Sequence, residues 1–370
     1  MKGLLRHLSP FAPDQSGAVA ALHGTGAVVA VCDAGGCTGN ICGFDMPAWL
    51  AGGLPVFSAG LRDMDAILGR DALLVERLAR LTRLVDAPFA AIVGTPVPAV
   101  IGTDFQALAH LGEKACGLPV VSFATNGAEW YDKGCALAWE TLLRRFAPAS
   151  GASERDPGRI DVFGASSMDA SPEACRAIRS FLETRGWRRA AVHGFDAGIG
   201  ELQSVGTASR CLAVSPSGVR ACRLLEERFG IPWEAAFPVL PAELVQRLGA
   251  LKGHKVLCVH QQVLSLAVGR LLQRLGGGTS CQCATWFGRL PGRQGRDCLQ
   301  LREEEDFARL VSEGGFTALV CDSLLLKAVP QWRGPAVDLP HFAVSGSIPR
   351  FKGPWTGVPE GLRATEHQGG

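Results

Sequence analysis

Residues 27–43 read AVVAVCDAGGCTGNICG, and this stretch decides how the chain is interpreted. The apolar run at 27–31 predicts a short buried strand, and a turn rich in glycine follows it directly. Glycine lets the backbone bend sharply and approach a bound group closely. We therefore expect a strand, a ligand-binding turn and a helix, in that order.

The same pattern of strand, glycine-rich turn and helix repeats along the chain. Strands are predicted at 27–31, 89–93, 118–123, 160–163, 189–193, 211–214, 255–260 and 318–321. Helices are predicted at 104–116, 133–146, 172–185, 218–229 and 263–275. Strands that alternate with helices of ~10–15 residues predict parallel α/β sheets with right-handed crossovers.

The predicted elements fall into three sets, which indicates three Rossmann-like units. The expected boundaries are 1–150, 158–250 and 251–335, with a linker at 147–158 and a C-terminal segment, 336–370, that returns to the first unit. Ligands of open parallel sheets bind at the carboxyl ends of the strands. The turns after the strands are therefore the places to look for function.

Composition narrows the class of protein. The 370 residues are 47% hydrophobic and 19% charged, which is enough to build several cores. A formal charge of +2 disfavours a nucleic-acid-binding protein. We expect neither a leading apolar segment nor a membrane span. The 13 cysteines then predict a reducing, cytoplasmic protein whose thiols mostly pack in cores.

Three cysteines, Cys32, Cys37 and Cys42, stand five residues apart in the first glycine-rich turn. Thiolates in such a turn suit an iron–sulfur cluster, because backbone N–H groups can also bond to the cluster sulfurs. Their spacing matches no ferredoxin pattern, and zinc would need a fourth ligand nearby. The alternative is a glycine turn with incidental thiols.

Other turns offer further candidate site residues, each with an alternative, purely structural interpretation. Arg62 and Asp65 could form an active-site pair or a solvated helix start. Tyr131, after Asn126, could donate a proton or serve a surface or capping role. The pair at 281–283 could bind metal, although a simple loop is the preferred interpretation.

The turn at 94–104 leads into a helix whose N-cap is Thr103 or Asp104. No lysine follows it, so it is not a phosphate loop, and none occurs elsewhere in the chain. An ATP-driven step would therefore require another subunit.

Four segments together resemble the nitrogenase component 1 family of oxidoreductases. They are GGCTGN at 35–40, FSAGLRDMDAILG at 57–69, GTPVPAVIGTD at 94–104 and EERFGIPW at 226–233. Their order and spacing agree with the family over about residues 1–235. The resemblance implies three Rossmann-like domains around a central cleft. It also implies a homodimer, or a heterotetramer with a related subunit, that receives low-potential electrons from an iron-protein ATPase.

Departures from the family pattern limit what the resemblance implies. The family's first cluster cysteine would fall near Ser9 or Pro10 and its third at Thr95, so only Cys37 matches. This favours a [4Fe–4S] cluster shared across a dimer, with Cys37 and one of Cys32 or Cys42 from each chain, over an eight-iron cluster. The cysteine that anchors the family's catalytic cofactor is replaced by Val214, which disfavours a second metallocofactor and dinitrogen reduction.

The leading hypothesis is a nitrogenase-like reductase component that reduces an unidentified substrate in the cleft. The predicted ligand-positioning or proton-supplying residues are Arg62, Asp65, Asp104, Asn126 and Tyr131. The predicted cofactor-binding residues are Gly36, Gly39 and Thr95. Two alternatives stay open: a non-catalytic scaffold or carrier for a metallocluster, and a metal-free protein that binds a small molecule.

Overall fold

A computed structural model describes residues 5–45, 53–62, 65, 71–149, 154–347, 351 and 353–358. Three sequence predictions fall partly outside these residues. They are the linker at 150–153, the second family-like segment at 63–64 and 66–69, and the C-terminal segment at 348–350, 352 and 359–370.

The first sheet contains four parallel strands in the order β2-β1-β3-β4. Its strands are β1 (Val28–Val31), β2 (Val56–Ser58), β3 (Ala90–Val93) and β4 (Val120–Phe123). The helices around it are α1 (Asp14–Ala21), α2 (Gly36–Asn40), α3 (Asp71–Leu84), α4 (Pro96–Val100), α5 (Phe105–Cys116) and α6 (Tyr131–Phe146). A π-helical turn, Ile41–Asp45, continues α2.

The second sheet repeats this arrangement with the order β6-β5-β7-β8. Its strands are β5 (Asp156–Phe163), β6 (Arg189–Val192), β7 (Ala208–Ala213) and β8 (Trp233–Ala235). Its helices are α7 (Pro172–Thr184), α8 (Ile199–Gln203) and α9 (Val219–Phe229). A separate antiparallel pair joins β9 (Val239–Pro241) to β15 (Trp355–Gly357) near the C-terminus.

The third sheet has five parallel strands in the order β12-β11-β10-β13-β14. Helix α10 (Ala242–Gly249) precedes it. Its strands are β10 (Lys255–Val259), β11 (Ser280–Thr285), β12 (Cys298–Gln300), β13 (Ala318–Cys321) and β14 (Ala336–Asp338). Its helices are α11 (Gln262–Arg274), α12 (Gly292–Arg296), α13 (Glu304–Glu313) and α14 (Phe342–Ser345). The predicted α/β class with parallel Rossmann-like sheets is confirmed.

One local prediction is wrong, because the thiol pair at 281–283 lies in strand β11 and not in a loop. Cys283 is paired in register with Cys258 of β10 on one side and with Cys298 of β12 on the other. The glycines before the pair suggested a turn, but the pairing with two neighbouring strands overrides that local preference.

Local signals fix the helix ends that the sequence predicted well. The carboxylate of Asp104 accepts hydrogen bonds from the backbone N–H groups of Gln106 and Ala107 and so caps α5, which ends at Gly117 with a positive φ of 71°. Ser171 caps α7 in the same way, and Pro172 follows at its first position.

The C-terminal residues contact more than one unit. Strand β14 completes the third sheet, β15 pairs with β9, and the backbone N–H of Ala12 donates to the carbonyl oxygen of Ala343 at 2.8 Å. A single large apolar core runs through all three sheets. The domain boundaries given by the sequence remain a prediction.

All three sheets reverse their strand order at a switch point, between β1 and β3, between β5 and β7, and between β10 and β13. The turns after the two strands at such a point lie side by side, and ligands of open α/β sheets bind there. The Cys37 turn follows β1 and the Thr95 turn follows β3. The fold therefore brings two segments together that are separated by about sixty residues of sequence.

Candidate metallocluster site

The buried carboxylate of Asp33 holds the Cys37 turn in place. Its Oδ2 accepts the backbone N–H of Thr38 at 2.7 Å, and its Oδ1 accepts the hydroxyls of Thr38 at 2.9 Å and Ser58 at 2.6 Å. Gly35 has a φ of 116°, which only glycine adopts without strain, and α2 starts directly after it. Asp33 was not among the predicted site residues, although an acidic residue after a strand and before a helix is a common capping signal.

Thr95 lies beside Cys37, as the switch point predicts. The Thr95 side chain is buried, and its hydroxyl donates to the carbonyl oxygen of Cys32 at 2.8 Å. Burial and the charge of Asp33 raise the pKa of the Cys37 thiol, and a hydrogen bond with Thr95 opposes them. Thr95, at the position of the family's third cysteine, thus lies beside the Cys37 turn and brings no thiol to it.

Cys32, predicted as a possible metal-binding residue, is buried and does not line the cleft that Cys42 lines. Its side chain is only 3% exposed and packs in a small apolar core with Val28 and Ala30 of β1. Burial, followed by the charges of Asp71 and Asp33, raises the pKa of its thiol to about 12. A thiol in that setting stays protonated and apolar.

Cys42, by contrast, is half-buried and lies on the π-helical turn. It lines an open cleft of about 760 Å³, together with Asp45 of the same turn and Pro96 of α4. Ser9 and Pro10 line this cleft too, so the position of the family's first cluster cysteine reaches the same place without a thiol. Burial, then the charge of Asp33, raises the pKa of Cys42.

Glycines leave room above this turn. A Cβ atom placed on Gly36, Gly39 or Gly43 would meet no atom of the described residues within 4 Å. A group larger than a side chain can therefore approach the backbone next to Cys37 and Cys42. Asp45 fixes the far end of the turn, because its carboxylate accepts from Ser16 at 2.6 Å and Asn40 at 2.9 Å.

The two thiols do not complete a metal site within one chain. In the part of the chain that the structure describes, no group of three or more histidine, cysteine or acidic side chains is arranged to hold a metal ion. The cysteines are all free thiols. A cluster at this turn would thus need ligands beyond the described residues.

Four other predicted site residues have local structural roles. The backbone N–H of Arg62 donates to the Asp65 carboxylate at 3.0 Å, while the Arg62 side chain is exposed. Asp104 caps α5. The side-chain oxygen of Asn126 accepts from the backbone N–H of Ala128 at 2.8 Å, which closes a turn. None of these four side chains lines the cleft beside Cys42.

Tyr131 is fully buried, which contradicts the surface role that the sequence left open as an alternative to proton donation. Its hydroxyl donates to Asp169 Oδ1 at 2.6 Å and lies 3.0 Å from His341 Nε2. The rings of His260 and His341 stack with their centroids 4.1 Å apart. No local pattern predicted this cluster, because its members come from separate segments, and Tyr131 and His341 stand 210 residues apart.

This buried cluster lies where strands of the second and third sheets end, and it closes the junction between the units. Burial raises the pKa of Asp169 to about 6. The cavity beside Asp169 and His260 has a volume of only about 40 Å³. Val214, at the position of the family's cofactor cysteine, is fully buried, and its carbonyl oxygen accepts from Gln261 at 3.0 Å. Within the described residues, a cavity of this volume holds a few water molecules at most.

The fold has three doubly wound parallel sheets, and a turn that bears thiols lies at the switch point of the first sheet. These features define a class of α/β proteins built from three Rossmann-like units. The chain belongs to a family of this class, the nitrogenase component 1 type oxidoreductases, whose family model matches residues 16–275. The resemblance seen in the sequence is confirmed. In the described residues, no helix is long and apolar enough to cross a membrane.

The curated relatives are proteins of cofactor biosynthesis. The nitrogenase iron-molybdenum cofactor biosynthesis protein NifE of Sinorhizobium fredii is 27% identical over 181 residues, which cover 48% of this chain and 36% of that protein. NifE of Klebsiella pneumoniae is 25% identical over 217 residues, covering 53% and 46%. Each alignment thus spans less than half the length of the relative.

Solved structures support the fold. Two structures titled nitrogenase Cp1, at pH 6.5 and at pH 5, align with TM-scores of 0.69 and 0.71 over 92% of this chain. The alignments cover 87% and 85% of those chains, at 13% and 14% sequence identity. Similarity at this level shows that the whole fold is shared.

Proposed function

We propose that the chain is a metallocluster scaffold or carrier of a nitrogenase-like system, which holds an iron–sulfur cluster at Cys37 and Cys42. The observation that carries the proposal is the placement of these two half-buried thiols in a glycine-lined turn beside an open cleft. The closed junction favours this role over catalysis inside the molecule. The names of the curated relatives support it as well.

The ligand count requires a second chain. A [4Fe–4S] cluster is usually held by four thiolates, and one chain offers Cys37 and Cys42. Two copies, or one copy and a related subunit, would supply the full set. When bound, the cluster accepts and donates single electrons. The chain's own residues hold the turn through Asp33 and through the Thr95 hydroxyl, which donates to the carbonyl oxygen of Cys32.

Exposed apolar side chains around the turn fit such an interface. Phe44 is 73% exposed, and on or beside α4 Val97, Val100 and Ile101 are 48%, 86% and 47% exposed. Large apolar side chains grouped at a surface mark protein–protein contact sites. A partner chain that covers them would also exclude water from the cluster.

A second candidate function is reduction of a small molecule at the same place. The cleft beside Cys42, at about 760 Å³, has the size of a small-molecule site. The chain would then receive electrons from an iron-protein ATPase, since it carries no phosphate loop of its own. This cleft is not lined by Arg62, Asp65, Asp104 or Asn126. The residues that would contact a substrate are therefore those that line it, including Asp45 and Trp130.

Iron and acid-labile sulfide of anaerobically purified protein test the cluster directly. We expect iron and sulfide in equal amounts in the wild type, and loss to background in Cys37→Ala and in Cys42→Ala. Cys32→Ala should keep its iron, because that thiol is buried away from the turn. Cys116→Ala, which removes a half-buried thiol on α5, is the matched control.

Measurements on the wild-type protein separate the remaining alternatives. Iron-free wild-type protein would contradict the cluster and favour the metal-free protein that binds a small molecule. If iron is present, transfer of the cluster to an acceptor apoprotein without ATP hydrolysis supports the scaffold. ATP hydrolysis that depends on both an iron protein and this chain supports the reductase instead.

A further inference from the structure

A second open cleft, of about 580 Å³, lies away from the Cys37 turn. Its walls come from all three units: α6, the start of α9, and the segment 288–291 that follows β11. The proposed cluster function makes no use of this cleft. A ligand bound in it would contact the three units at once.

The cleft concentrates positive charge. Its lining contains five cationic side chains and three acidic ones. The cationic residues are Lys133, Arg144, Arg220, Arg223 and Arg289, and the acidic residues are Asp132, Glu140 and Glu227. The difference, five minus three, equals the formal charge of +2 of the entire chain. A cleft focuses such an excess and attracts anions.

Glu140 holds two of the guanidinium groups in position. Its buried carboxylate forms ion pairs with Arg144, at 2.7 Å, and with Arg220. One carboxylate cannot neutralise two guanidinium groups, so a positive charge remains. Among the described residues, no hydrogen bond or ion pair involves Arg223, one turn further along α9. Its donors are free for a ligand.

The floor of the cleft adds an acceptor. Asp132 is buried, and its Oδ2 accepts the backbone N–H of Gly288 at 2.9 Å. Its Oδ1 has no partner in the described part of the chain. Burial raises the pKa of this carboxyl to about 6, so it is ionised near neutral pH and can accept a hydrogen bond. Helix α9 begins at the cleft after Gly218, which has no side chain to cap it.

We propose that this cleft binds the phosphate group of a small molecule. Arg144, Arg220 and Arg223 contact the charged oxygens, because the guanidinium fork matches phosphate geometry. The Asp132 carboxylate accepts the proton of monohydrogen phosphate, or that of the singly ionised form of a phosphate ester, whose second pKa is about 6. Sulfate lacks this proton near neutral pH and would place a charged oxygen against the carboxylate, so the cleft discriminates between the two anions.

Calorimetric titration near neutral pH with inorganic phosphate, glycerol phosphate, sulfate and succinate tests the proposal. We expect phosphate or its ester to bind, and sulfate and succinate to bind at least about tenfold more weakly, since each leaves a buried group unpaired. Stronger binding of glycerol phosphate than of phosphate would assign an ester, and the reverse free phosphate. Absence of binding by both, or equal binding of succinate, would overturn the proposal.

Variants locate the site. Arg223→Gln should weaken phosphate binding by at least about tenfold through loss of a charge-assisted contact. Arg80→Gln, which removes an exposed guanidinium on α3, should leave it unchanged. Asp132→Asn should abolish the preference for phosphate over sulfate. Equal losses in the two arginine variants, or an intact preference in Asp132→Asn, would contradict the assignment. Iron content plays no part in these readouts, so they stand apart from the test of the cluster.

Discussion

Asp33 links the fold to the candidate site through a single carboxylate. It accepts three hydrogen bonds from the turn and from β2, and its charge raises the pKa of both Cys37 and Cys42. Cluster binding requires thiolates, which a nearby negative charge disfavours. The residue that shapes the turn therefore also favours the protonated form of both thiols.

Replacement of Asp33 by Asn should change both the stability of the protein and the pKa of Cys37. Stability should fall by about 1–3 kcal/mol, because the amide cannot accept all three hydrogen bonds. The pKa of Cys37 should decrease, so that its alkylation reaches half of its maximal rate at a lower pH. Urea unfolding and pH-dependent peptide mass spectrometry measure the two effects.

Asp86→Asn, at an exposed position, is the control and should change neither quantity. The rate at Cys116 reports general loosening of the structure. An unchanged pH profile at Cys37 in Asp33→Asn would contradict the electrostatic part of the prediction.

At the scale of elements, α1 and α6 cross with their backbones in contact. A Cβ atom at Gly17 would collide with the carbonyl group of Tyr131, and one at Gly134 would collide with that of Asp14. The thiol of Cys135 also donates to the carbonyl oxygen of Gly17 at 3.1 Å. This close crossing anchors Tyr131 at the start of α6, and thereby one side of the central junction.

Gly134→Ala should therefore destabilise the protein by at least about 2 kcal/mol, because packed backbones cannot yield to an added methyl group. Gly200→Ala, in α8, is the matched control, since its added Cβ would meet nothing within 4 Å. Helix propensity should make that variant equal to the wild type or more stable by up to about 1 kcal/mol. The urea concentrations at the midpoints of unfolding measure these differences in stability. Equal midpoints for the two variants would refute the close crossing of α1 and α6.

At the scale of the whole molecule, the buried cluster of Tyr131, Asp169, His260 and His341 joins the three units. Burial lowers the pKa of His341 to about 3 and raises that of Asp169 to about 6. The pKa of His260 is lowered as well, by burial and then by His341. The junction thus keeps its histidines neutral, and acid acts on the molecule through them.

His341 gives this pH dependence a definite sign. In the unfolded chain its pKa is ~6.5, so between pH 6.5 and about 3 the unfolded chain binds one more proton than the folded protein. The free energy of unfolding attributable to His341 therefore decreases as the pH falls through this window. Asp169 acts in the opposite direction, because its protonated form is favoured in the folded state.

His341→Gln should remove the contribution of this one proton. Relative to the wild type, the slope of stability against pH should change by up to ~1.4 kcal/mol per pH unit below pH ~6. His110→Gln, at an exposed position of α5, serves as the reference and should keep the wild-type slope. Urea unfolding at a series of pH values measures both slopes, and parallel curves for all three proteins would disprove the assignment.

Much of this molecule follows from short stretches of sequence. The alternation of apolar strands with helices capped by Asp104 and Ser171 fixes the α/β class, because these signals act over a few residues. The Cys37 turn was predicted from the strand and the glycines around it. The strand at 281–283 was not, because pairing with β10 and β12 outweighs the local preference of its residues.

What the sequence by itself determined is the alternation of the main strands and helices, the family and the turn that carries Cys37. Tertiary structure alone decided which thiols are accessible. Cys32 is buried and Cys42 is half-buried, although both belong to the same glycine-rich stretch of sequence. It also placed Thr95 against Cys37 and closed the junction around Tyr131. These contacts join residues far apart in the chain, so their energies depend on how the sheets pack and leave no local pattern in the sequence.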